Sequence, residues 1–401
     1  MSNFSFTKEQ ELFRETIREF CEKNLTARSG EIDQNGRIPD EIVKGMAQIG
    51  LLAMTASPTY GGSGADFTLA TIATEELARS DNSVATAVLF LVEAAWGYIL
   101  DKYGTEKAKE ELLPKATKGE SFIGIGSTEP DVGSDIAAVK MRAKKEGDTY
   151  ILNGEKAYIS GIKEAQRLDG GYVTVTKTAP ELKHKGVTLF YVPINTPGIT
   201  PTAILENMGR MGISTGGFNA ENAKIPEHYM IGEVNRGFYA ALEGFTHARV
   251  LVAAACIGTA QRALEIGMDY IKQRKAFGRP IGKFEGIQFQ LADDYTKLEA
   301  ARLLVYKAAW MLEECYRKGN FTYHDVNKIV APAKLYAGTT AFDIYKDVML
   351  WHGAMGYTKE CPLERGLRGV MSYIIGAEGA QNIMRVIIGS ELLGPEFIPY
   401  R

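Results

Sequence analysis

Hydrophobic positions along the chain follow three successive patterns. Between Thr7 and about Lys118 they recur three or four residues apart, which is the spacing of one face of an α-helix. The first segment begins with Thr7-Lys8-Glu9-Gln10, a capping box that closes the start of a helix. The same spacing predicts helices over residues 69–78, 84–100 and 106–116. The first part of the chain is therefore predicted to be all α.

From about Glu120 to Glu233 the helical spacing gives way to short runs of β-branched and aromatic residues separated by turn residues. Residues 172–176 and 187–192 have the composition of strands. A further strand over residues 148–152 is followed by Asn153-Gly154, a pair that favours a hairpin turn. Pro197-Gly198 predicts a break in the next connection. This part of the chain is predicted to be a β domain.

Helical spacing returns after Gly237-Phe238 and continues almost to the end of the chain. Four long segments, residues 238–273, 286–318, 323–351 and 381–392, carry apolar stripes at positions i, i+3, i+4 and i+7. Such segments suit a helical bundle, including packing between subunits. We therefore predict an α+β protein with an N-terminal all-α domain (1–120), a middle β-barrel or sandwich domain (121–233) and a C-terminal four-helix bundle (234–401).

Composition narrows the class of protein. The net charge is −3 and the pI is about 6.1, so there is no basic excess to attract nucleic acid or an anionic membrane. The four cysteines lie far apart and the five histidines lack metal-ligand spacing, which predicts reduced thiols and no metal site. The N-terminal residues resemble neither a signal peptide nor a transit sequence. No apolar run approaches the about 20 residues of a membrane span, so we expect a cytoplasmic protein that binds neither nucleic acid nor membrane.

A candidate catalytic group lies near the C-terminus. Glu378-Gly379 separates an apolar run from the amphipathic segment that begins at Gln381. Glycine allows the backbone to approach a ligand closely, and a carboxylate at a loop–helix junction can act in a cleft as a general base. A glutamate at this place can also serve simply as a favourable partner of the helix dipole. Other motifs of the chain separate these two interpretations.

Two motifs of the middle region carry candidate binding groups, and the first of them suits a planar heteroaromatic ring. Ser127-Thr128-Glu129-Pro130-Asp131-Val132-Gly133-Ser134-Asp135 offers hydroxyls and loop amides beside a glycine. Tyr158-Ile159-Ser160-Gly161 offers an aromatic face and a hydroxyl. The alternative interpretation of the first motif is a turn whose side chains bind their own backbone.

Three further motifs lie in the C-terminal region. Gln273-Arg274-Lys275-Ala276-Phe277-Gly278 contains an arginine whose forked guanidinium suits a pyrophosphate. A second motif, His352-Gly353-Ala354-Met355-Gly356-Tyr357-Thr358, is rich in glycine. The third, Phe245-Thr246-His247-Ala248-Arg249, ends in an arginine that is a candidate functional residue. The alternative interpretation of this arginine is an ordinary interior ion pair. With the order α, β, α, these motifs resemble those of the acyl-CoA dehydrogenase family of flavoproteins over essentially the whole chain.

The resemblance implies FAD as the cofactor. It puts Thr128 on the flavin, the ring of Tyr158 against it and the hydroxyl of Ser160 near its N5. It puts Arg274 on the pyrophosphate of the FAD of a neighbouring subunit, with Glu285 where the family usually has glutamine. The cofactor-binding residues predicted in this way are Thr128, Gly133, Ser134, Tyr158, Ser160, Arg274, Phe277, Glu285, His352, Gly353, Gly356 and Gln381.

The resemblance also implies that Glu378 is the catalytic base, because Ala248 occupies the position that carries the base in another lineage of the family. Arg249 is expected to support the loop that carries Glu378. The predicted substrate-binding residues are Ser134, Phe245, Thr246, Arg249 and Gly379. The stretch from Arg368 to Glu378 is one residue longer than is usual in the family, which predicts a bulged loop and an unusual substrate pocket.

The implied reaction is the α,β-dehydrogenation of an acyl-CoA thioester to a 2,3-enoyl-CoA, with hydride transfer to flavin N5. An electron-transfer flavoprotein is the implied acceptor, and a homotetramer built as a dimer of dimers is the implied assembly. Oxidative decarboxylation of a dicarboxylic acyl-CoA is an alternative that needs a cation for the distal carboxylate, whereas residues 84–98 offer Glu93 but no lysine or arginine. A catalytically silent subunit that binds flavin or a CoA ester is the alternative from another class, and it would have no need of Glu378. The sequence leaves the acyl chain open among straight, branched, cyclic and dicarboxylic groups.

Overall fold

The computed structural model describes residues 5–399, so the first four and the last two residues of the predicted terminal domains lie outside the described residues. The order of elements is helices, then a sheet, then helices, and the predicted fold class is confirmed. The helices of the first part are α1 (Lys8–Asn24), α2 (Ser29–Asn35), α3 (Asp40–Gln48), α4 (Phe67–Ser80), α5 (Ala85–Tyr103) and α6 (Glu106–Thr117).

Helix α1 begins at the predicted capping box. The Gln10 amide donates to Thr7 Oγ1 at 3.2 Å, and the Thr7 amide donates to the side chain of Gln10 at 3.0 Å. Helix α5 is buried from Ala85 to Leu100, because it packs against α4, against the first strand of the sheet and against the first helix of the C-terminal part. This central helix therefore contacts all three parts of the chain.

The middle part is one hydrogen-bonded sheet with a short helix, α7 (Ile162–Arg167). Its strands are β1 (Ile123–Gly126), β2 (Arg142–Glu146), β3 (Thr149–Ser160), β4 (Gly171–Lys177), β5 (Val187–Pro193), β6 (Ile199–Pro201), β7 (Thr215–Pro226) and β8 (Met230–Ile231). The strand order is β6-β7-β3-β2-β4-β5-β8, and β1 pairs with β4. Neighbours are antiparallel except for the β1–β4 and β2–β4 pairs, which are parallel.

The predicted hairpin turn at Asn153-Gly154 is wrong. Strand β3 runs through this pair, with β2 on one side and β7 on the other, and its register to β7 shifts between Leu152 and Gly154. A β-carbon at Gly154 would lie 2.7 Å from the Cα of Met141, and its φ is 142°. The glycine therefore marks a bulge at a close backbone approach and not a turn.

The C-terminal part has five helices among the described residues. They are α8 (Gly237–Gln273), α9 (Glu285–Tyr316), α10 (Tyr323–His352), α11 (Leu363–Ile375) and α12 (Gln381–Leu393), and a two-stranded ribbon, β9 (Lys275–Ala276) with β10 (Arg279–Pro280), links α8 to α9. Four of these helices match the predicted segments. Helix α11 was not predicted as a separate element, and α10 packs against α8, α9, α11 and α12.

Helix α8 is long and apolar enough to cross a membrane by length and composition alone. From the sequence we expected no apolar segment of that length. The most apolar 18-residue window of α8 has a mean hydropathy of 1.4, but 94% of that window is buried within the protein. This is the behaviour of a helix in a protein core.

Candidate functional site

Glu378 lies on the connection between α11 and α12, in a conformation that non-glycine residues rarely adopt. Its φ is 54°, and the φ of Gly379 is 102°. The Gly379 amide donates to the Gly376 carbonyl at 3.0 Å, and the Ala377 amide donates to the Ser372 carbonyl at 3.0 Å, so the chain turns tightly here. Left-handed backbone at a non-glycine residue persists only where the surroundings impose it.

Two buried cations impose this conformation by contacting the main chain of the loop. Arg249 Nε on α8 donates to the carbonyl oxygen of Glu378 at 2.9 Å. Lys334 Nζ on α10 donates to the carbonyl oxygens of Gly379 at 2.5 Å and Tyr373 at 2.7 Å. The contact expected between Arg249 and the loop is therefore present. Lys334 was missed by the sequence analysis, although a lysine on an otherwise apolar helix stripe is a detectable signal.

The loop forms part of the wall of a cavity of about 570 Å³ that is bounded by all three parts of the chain. Helix α5 contributes an apolar side through Val88, Leu91 and Val92. Phe245 and Arg249 of α8 and the end of α11 contribute another side. The volume is in the range of cavities that hold small molecules.

Burial dominates the electrostatics of Glu378. Loss of water raises the pKa of this carboxyl to about 7, while the charges of Arg249, Lys334 and Arg210 act in the opposite direction. Burial likewise lowers the pKa of Lys334 to about 8. Glu378 is therefore a carboxyl group that can gain and lose a proton near neutral pH.

Another wall of the cavity carries the five predicted cofactor-binding residues of the middle region: Thr128, Gly133, Ser134, Tyr158 and Ser160. The side chain of Tyr158 is 64% exposed, although it lies on this wall, and its φ is 56°. Apart from Gly133 and its two chain neighbours, no heavy atom of residues 5–399 lies within 4 Å of where a β-carbon of Gly133 would stand. An exposed aromatic face beside open backbone provides a surface for a planar ring.

A buried ion pair supports this wall from behind. Lys156 Nζ on β3 donates to Glu129 Oε1 at 2.9 Å and to the Ser127 carbonyl at 3.0 Å. The carboxylate of Glu129 also accepts from the amides of Lys140 at 2.6 Å and Met141 at 2.9 Å. Lys156 is fully buried, and burial lowers its pKa to about 8. Lys156 was not predicted from the sequence, because a turn was expected at Asn153-Gly154 where strand β3 continues.

Another group of predicted cofactor-binding residues lies outside this cavity. Arg274 and Phe277 are exposed on the connection from α8 to α9, and Glu285 is exposed at the first position of α9. His352 is the last residue of α10, and Gly353 and Gly356 follow it. The His352 ring stacks on Tyr270 with 4.0 Å between ring centroids. Because Tyr270 is four residues from Arg274, the two motifs come together at one end of the helical bundle. We call these six predicted residues the distal cluster.

Two other predicted residues use their polar groups elsewhere. Thr246 is fully buried and its hydroxyl donates to the Leu242 carbonyl at 2.7 Å, within its own helix. The side-chain amide of Gln381 donates to Thr339 Oγ1 at 3.0 Å. Neither residue lines the cavity, in contrast to Ser134, Phe245, Arg249 and Gly379.

Comparison with known proteins decides the family. Models of the acyl-CoA dehydrogenase N-terminal, middle and C-terminal domains match residues 7–120, 124–223 and 235–393. The 3-(aryl)acrylate reductase of Clostridium sporogenes is 36% identical over 388 residues, which is 97% of this chain and 99% of the relative. The chain belongs to the acyl-CoA dehydrogenase family.

Solved structures agree with the assignment to the acyl-CoA dehydrogenases. Butyryl-CoA dehydrogenase from Megasphaera elsdenii matches with a TM-score of 0.89 and 31% identity over 98% of this chain and 100% of that chain. A structure described as the electron transferring flavoprotein of Acidaminococcus fermentans matches with a TM-score of 0.91 and 30% identity, again over 98% and 100%. The predicted activity class, acyl-CoA dehydrogenase, and the predicted cofactor, FAD, are confirmed at this level. The exposed ring of Tyr158 and the open backbone at Gly133 fit a flavin on this wall.

Proposed function

We propose that this acyl-CoA dehydrogenase removes the α-proton of an acyl-CoA thioester with Glu378 while the β-hydrogen leaves as hydride, giving a 2,3-enoyl-CoA. The observation that carries the proposal is that Glu378 is the one carboxylate among the described residues that line the cavity and that its pKa is raised to about 7. A general base works best when its pKa lies near the working pH. The proton moves to the Glu378 carboxylate, and the C–H bonding pair becomes the new double bond.

The main chain of the base loop is proposed to stabilise the developing enolate. An α-proton of a thioester is a far weaker acid than a carboxylic acid, so donors at the thioester oxygen are needed. Within the described residues the amide N–H of Glu378 donates no hydrogen bond, which leaves it available to the substrate. The contacts of Arg249 and Lys334 hold this amide and the carboxylate in fixed relation.

Bound FAD supplies the hydride acceptor, its N5. The residues proposed to hold its flavin are Thr128, Gly133, Ser134, Tyr158 and Ser160, which share one cavity wall. The distal cluster is proposed to hold the FAD of a partner subunit in a homotetramer, with the Arg274 guanidinium on the pyrophosphate. Gln381 remains a predicted cofactor ligand, and Thr246 a predicted substrate ligand.

An electron-transfer flavoprotein is proposed as the electron acceptor. The likeness to the Acidaminococcus fermentans structure supports this choice. A catalytically silent subunit is disfavoured, because such a protein has no need of a carboxylate held in a strained conformation and tuned to neutral pH.

The test is an anaerobic titration of the FAD-loaded protein with straight, branched, cyclic and dicarboxylic acyl-CoA thioesters, followed by flavin absorbance. We expect one class to bleach the oxidised flavin, and we expect Glu378→Gln to retain FAD and lose the bleaching. Glu360→Gln is the matched control, since Glu360 is exposed and lies outside the cavity. Bleaching that survives in Glu378→Gln would remove Glu378 from the role of base.

The reverse reaction is a second candidate function. The relative from Clostridium sporogenes is a 3-(aryl)acrylate reductase, and the same carboxyl could return a proton to the α-carbon of an unsaturated thioester when protonated. With a pKa of about 7, Glu378 supplies both protonation states near neutral pH. If the protein catalyses this reduction, an aryl-acrylyl-CoA should reoxidise the flavin of photoreduced protein. If it does not, the flavin should stay reduced.

A further inference from the structure

The side chain of Arg210 adds a cation to the cavity lining. It lies on the connection between β6 and β7, and its side chain lines the same cavity as Glu378. One guanidinium nitrogen donates to Ser160 Oγ at 2.8 Å and the other donates to Thr215 Oγ1 at 3.2 Å. Ser160 and Thr215 are partners across β3 and β7, so two neighbouring hydroxyls orient the guanidinium.

No carboxylate of the described residues pairs with Arg210. The contrast is Arg368, which lines the same cavity and contacts Asp33 and Glu364, each at 2.6 Å. Arg249 and Lys334 contact backbone carbonyls of the base loop. Arg210 alone among these four cations has only neutral hydroxyls as hydrogen-bond partners. Within residues 5–399, Glu378 is the one carboxylate of the cavity lining. The cavity therefore carries an excess of positive charge.

The backbone conformation of Arg210 also indicates that the surrounding structure fixes the position of its side chain. The φ of Arg210 is 49°, in the left-handed region that non-glycine residues seldom occupy. Such conformations concentrate where a side chain must be presented to a ligand. A guanidinium has five N–H donors, and the two hydrogen bonds described above leave donors free. Removing this charge from water without an anionic partner is unfavourable, so an anion in the cavity would be bound strongly.

We propose that Arg210 receives a carboxylate carried on the acyl group of the CoA thioester, so that the substrate is an acidic acyl-CoA. This inference rests on the proposed function, because it needs an acyl group in the cavity. The apolar residues Val88, Leu91 and Val92 would contact its methylene carbons, and Arg210 would contact its charged end. Residues 84–98 offer no such cation, whereas Arg210 lies on the connection between β6 and β7.

The experiment measures binding without turnover. FAD-loaded Glu378→Gln protein is titrated with mono-CoA thioesters of four- to six-carbon dicarboxylic acids and with monocarboxylic thioesters of equal length, by flavin absorbance changes and calorimetry. We expect at least one dicarboxylic thioester to bind about 10-fold or more tightly than its monocarboxylic match, as expected for a charge-assisted contact. In Arg210→Met this preference should fall to about one, with monocarboxylic binding retained.

Two further variants make the result decisive. Arg210→Lys should keep part of the preference, and Arg236→Met, which removes an exposed arginine paired with Glu233, should keep all of it. If Arg210→Met does not retain FAD, Arg210→Gln replaces it. The proposal is overturned if no length shows a preference, or if the preference survives in Arg210→Met and Arg210→Gln. It is also overturned if Arg210→Met leaves the preference intact but weakens sulfite binding to the flavin, because the cation then serves the flavin.

This outcome is separable from failure of the proposed function. The proposed function fails when no thioester of any class bleaches the flavin of protein that retains Glu378. The Arg210 proposal fails on a ratio of binding constants measured in the Glu378→Gln background, whether or not bleaching occurs.

Discussion

Arg249 Nε lies 2.9 Å from the carbonyl oxygen of Glu378, so the arginine holds the glutamate by its main chain and not by its carboxylate. A direct ion pair with the carboxylate would lower the pKa of Glu378 strongly and weaken it as a base. The geometry instead fixes the loop while the carboxylate stays in the cavity, where burial raises its pKa to about 7. Lys334 repeats the arrangement one residue later, at the carbonyl of Gly379.

The pH dependence of activity follows from this arrangement. We expect kcat/KM with a reactive acyl-CoA to rise between about pH 5.5 and about pH 8.5, as Glu378 loses its proton. Arg249 is the first of the charges that lower the pKa of Glu378, so Arg249→Met should move the rising limb to higher pH and reduce the plateau about 10-fold or more. Arg236→Met should leave the limb in place. A limb that does not move in Arg249→Met would show that another group titrates.

Stability should depend on pH through the same carboxyl. Its folded pKa of about 7 lies above the ordinary glutamate value of 4.5, so the folded protein holds this proton more tightly than the unfolded chain. The resulting stabilisation is complete below about pH 4.5 and is lost as the pH rises through about 7. Glu378→Gln, which cannot ionise, should therefore gain Tm relative to the wild type at pH 8 and gain less at pH 5.5.

Thermal unfolding of Glu378→Gln, Glu360→Gln and the wild-type protein at both pH values provides the measurement. Glu360 is exposed, so its variant should follow the wild-type protein at each pH. An equal Tm difference for Glu378→Gln at pH 5.5 and pH 8 would contradict the burial argument.

Lys334→Met is expected to loosen the base loop. The substitution leaves the carbonyl oxygens of Tyr373 and Gly379 without their donor, and each such buried group costs about 1–3 kcal/mol. Tm should fall, and flavin bleaching by substrate should slow. Lys328→Met on the same helix is the control, because Lys328 is exposed and should change neither quantity. An unchanged bleaching rate in a less stable Lys334→Met protein would mean that Lys334 is structural only.

The buried pair of Lys156 and Glu129 should be needed to retain FAD. Lys156→Met leaves the Glu129 carboxylate without its buried cation, and breaking such a pair costs about 3–5 kcal/mol. We expect lower Tm and a lower ratio of flavin to protein absorbance. Lys156→Met combined with Glu129→Gln should recover part of both, since the uncompensated charge is gone. A double variant as poor as the single variant would point to the Ser127 carbonyl contact instead.

The fold and most of the cavity could be predicted from the sequence because they depend on local signals. The change of hydrophobic spacing gave the order of α and β parts, and short motifs contain Thr128, Tyr158 and Glu378. The turn at Asn153-Gly154 could not be judged locally, because the close approach of Met141 across the sheet decides it. Lys334, Lys156 and Arg210 were missed for a related reason. The roles of Lys156 and Lys334 depend on partners 27 or more positions away, Glu129 and Tyr373. The role of Arg210 depends on a left-handed backbone conformation.

Exposed aromatic rings at the distal cluster predict that a second copy of the chain packs against this surface. Phe277 is 95% exposed with a φ of 49°, and Tyr357, beside Gly356, is 92% exposed. Large apolar side chains at such exposure mark surfaces that another protein covers. If a second copy covers them and shares FAD through Arg274, association and cofactor retention should fail together. Phe277→Asp should therefore lower both the oligomer mass in sedimentation and the flavin content, whereas Leu12→Asp, at 65% exposure on α1, should lower neither. A Phe277→Asp protein of unchanged mass that has lost FAD would restrict Phe277 to cofactor binding within one chain.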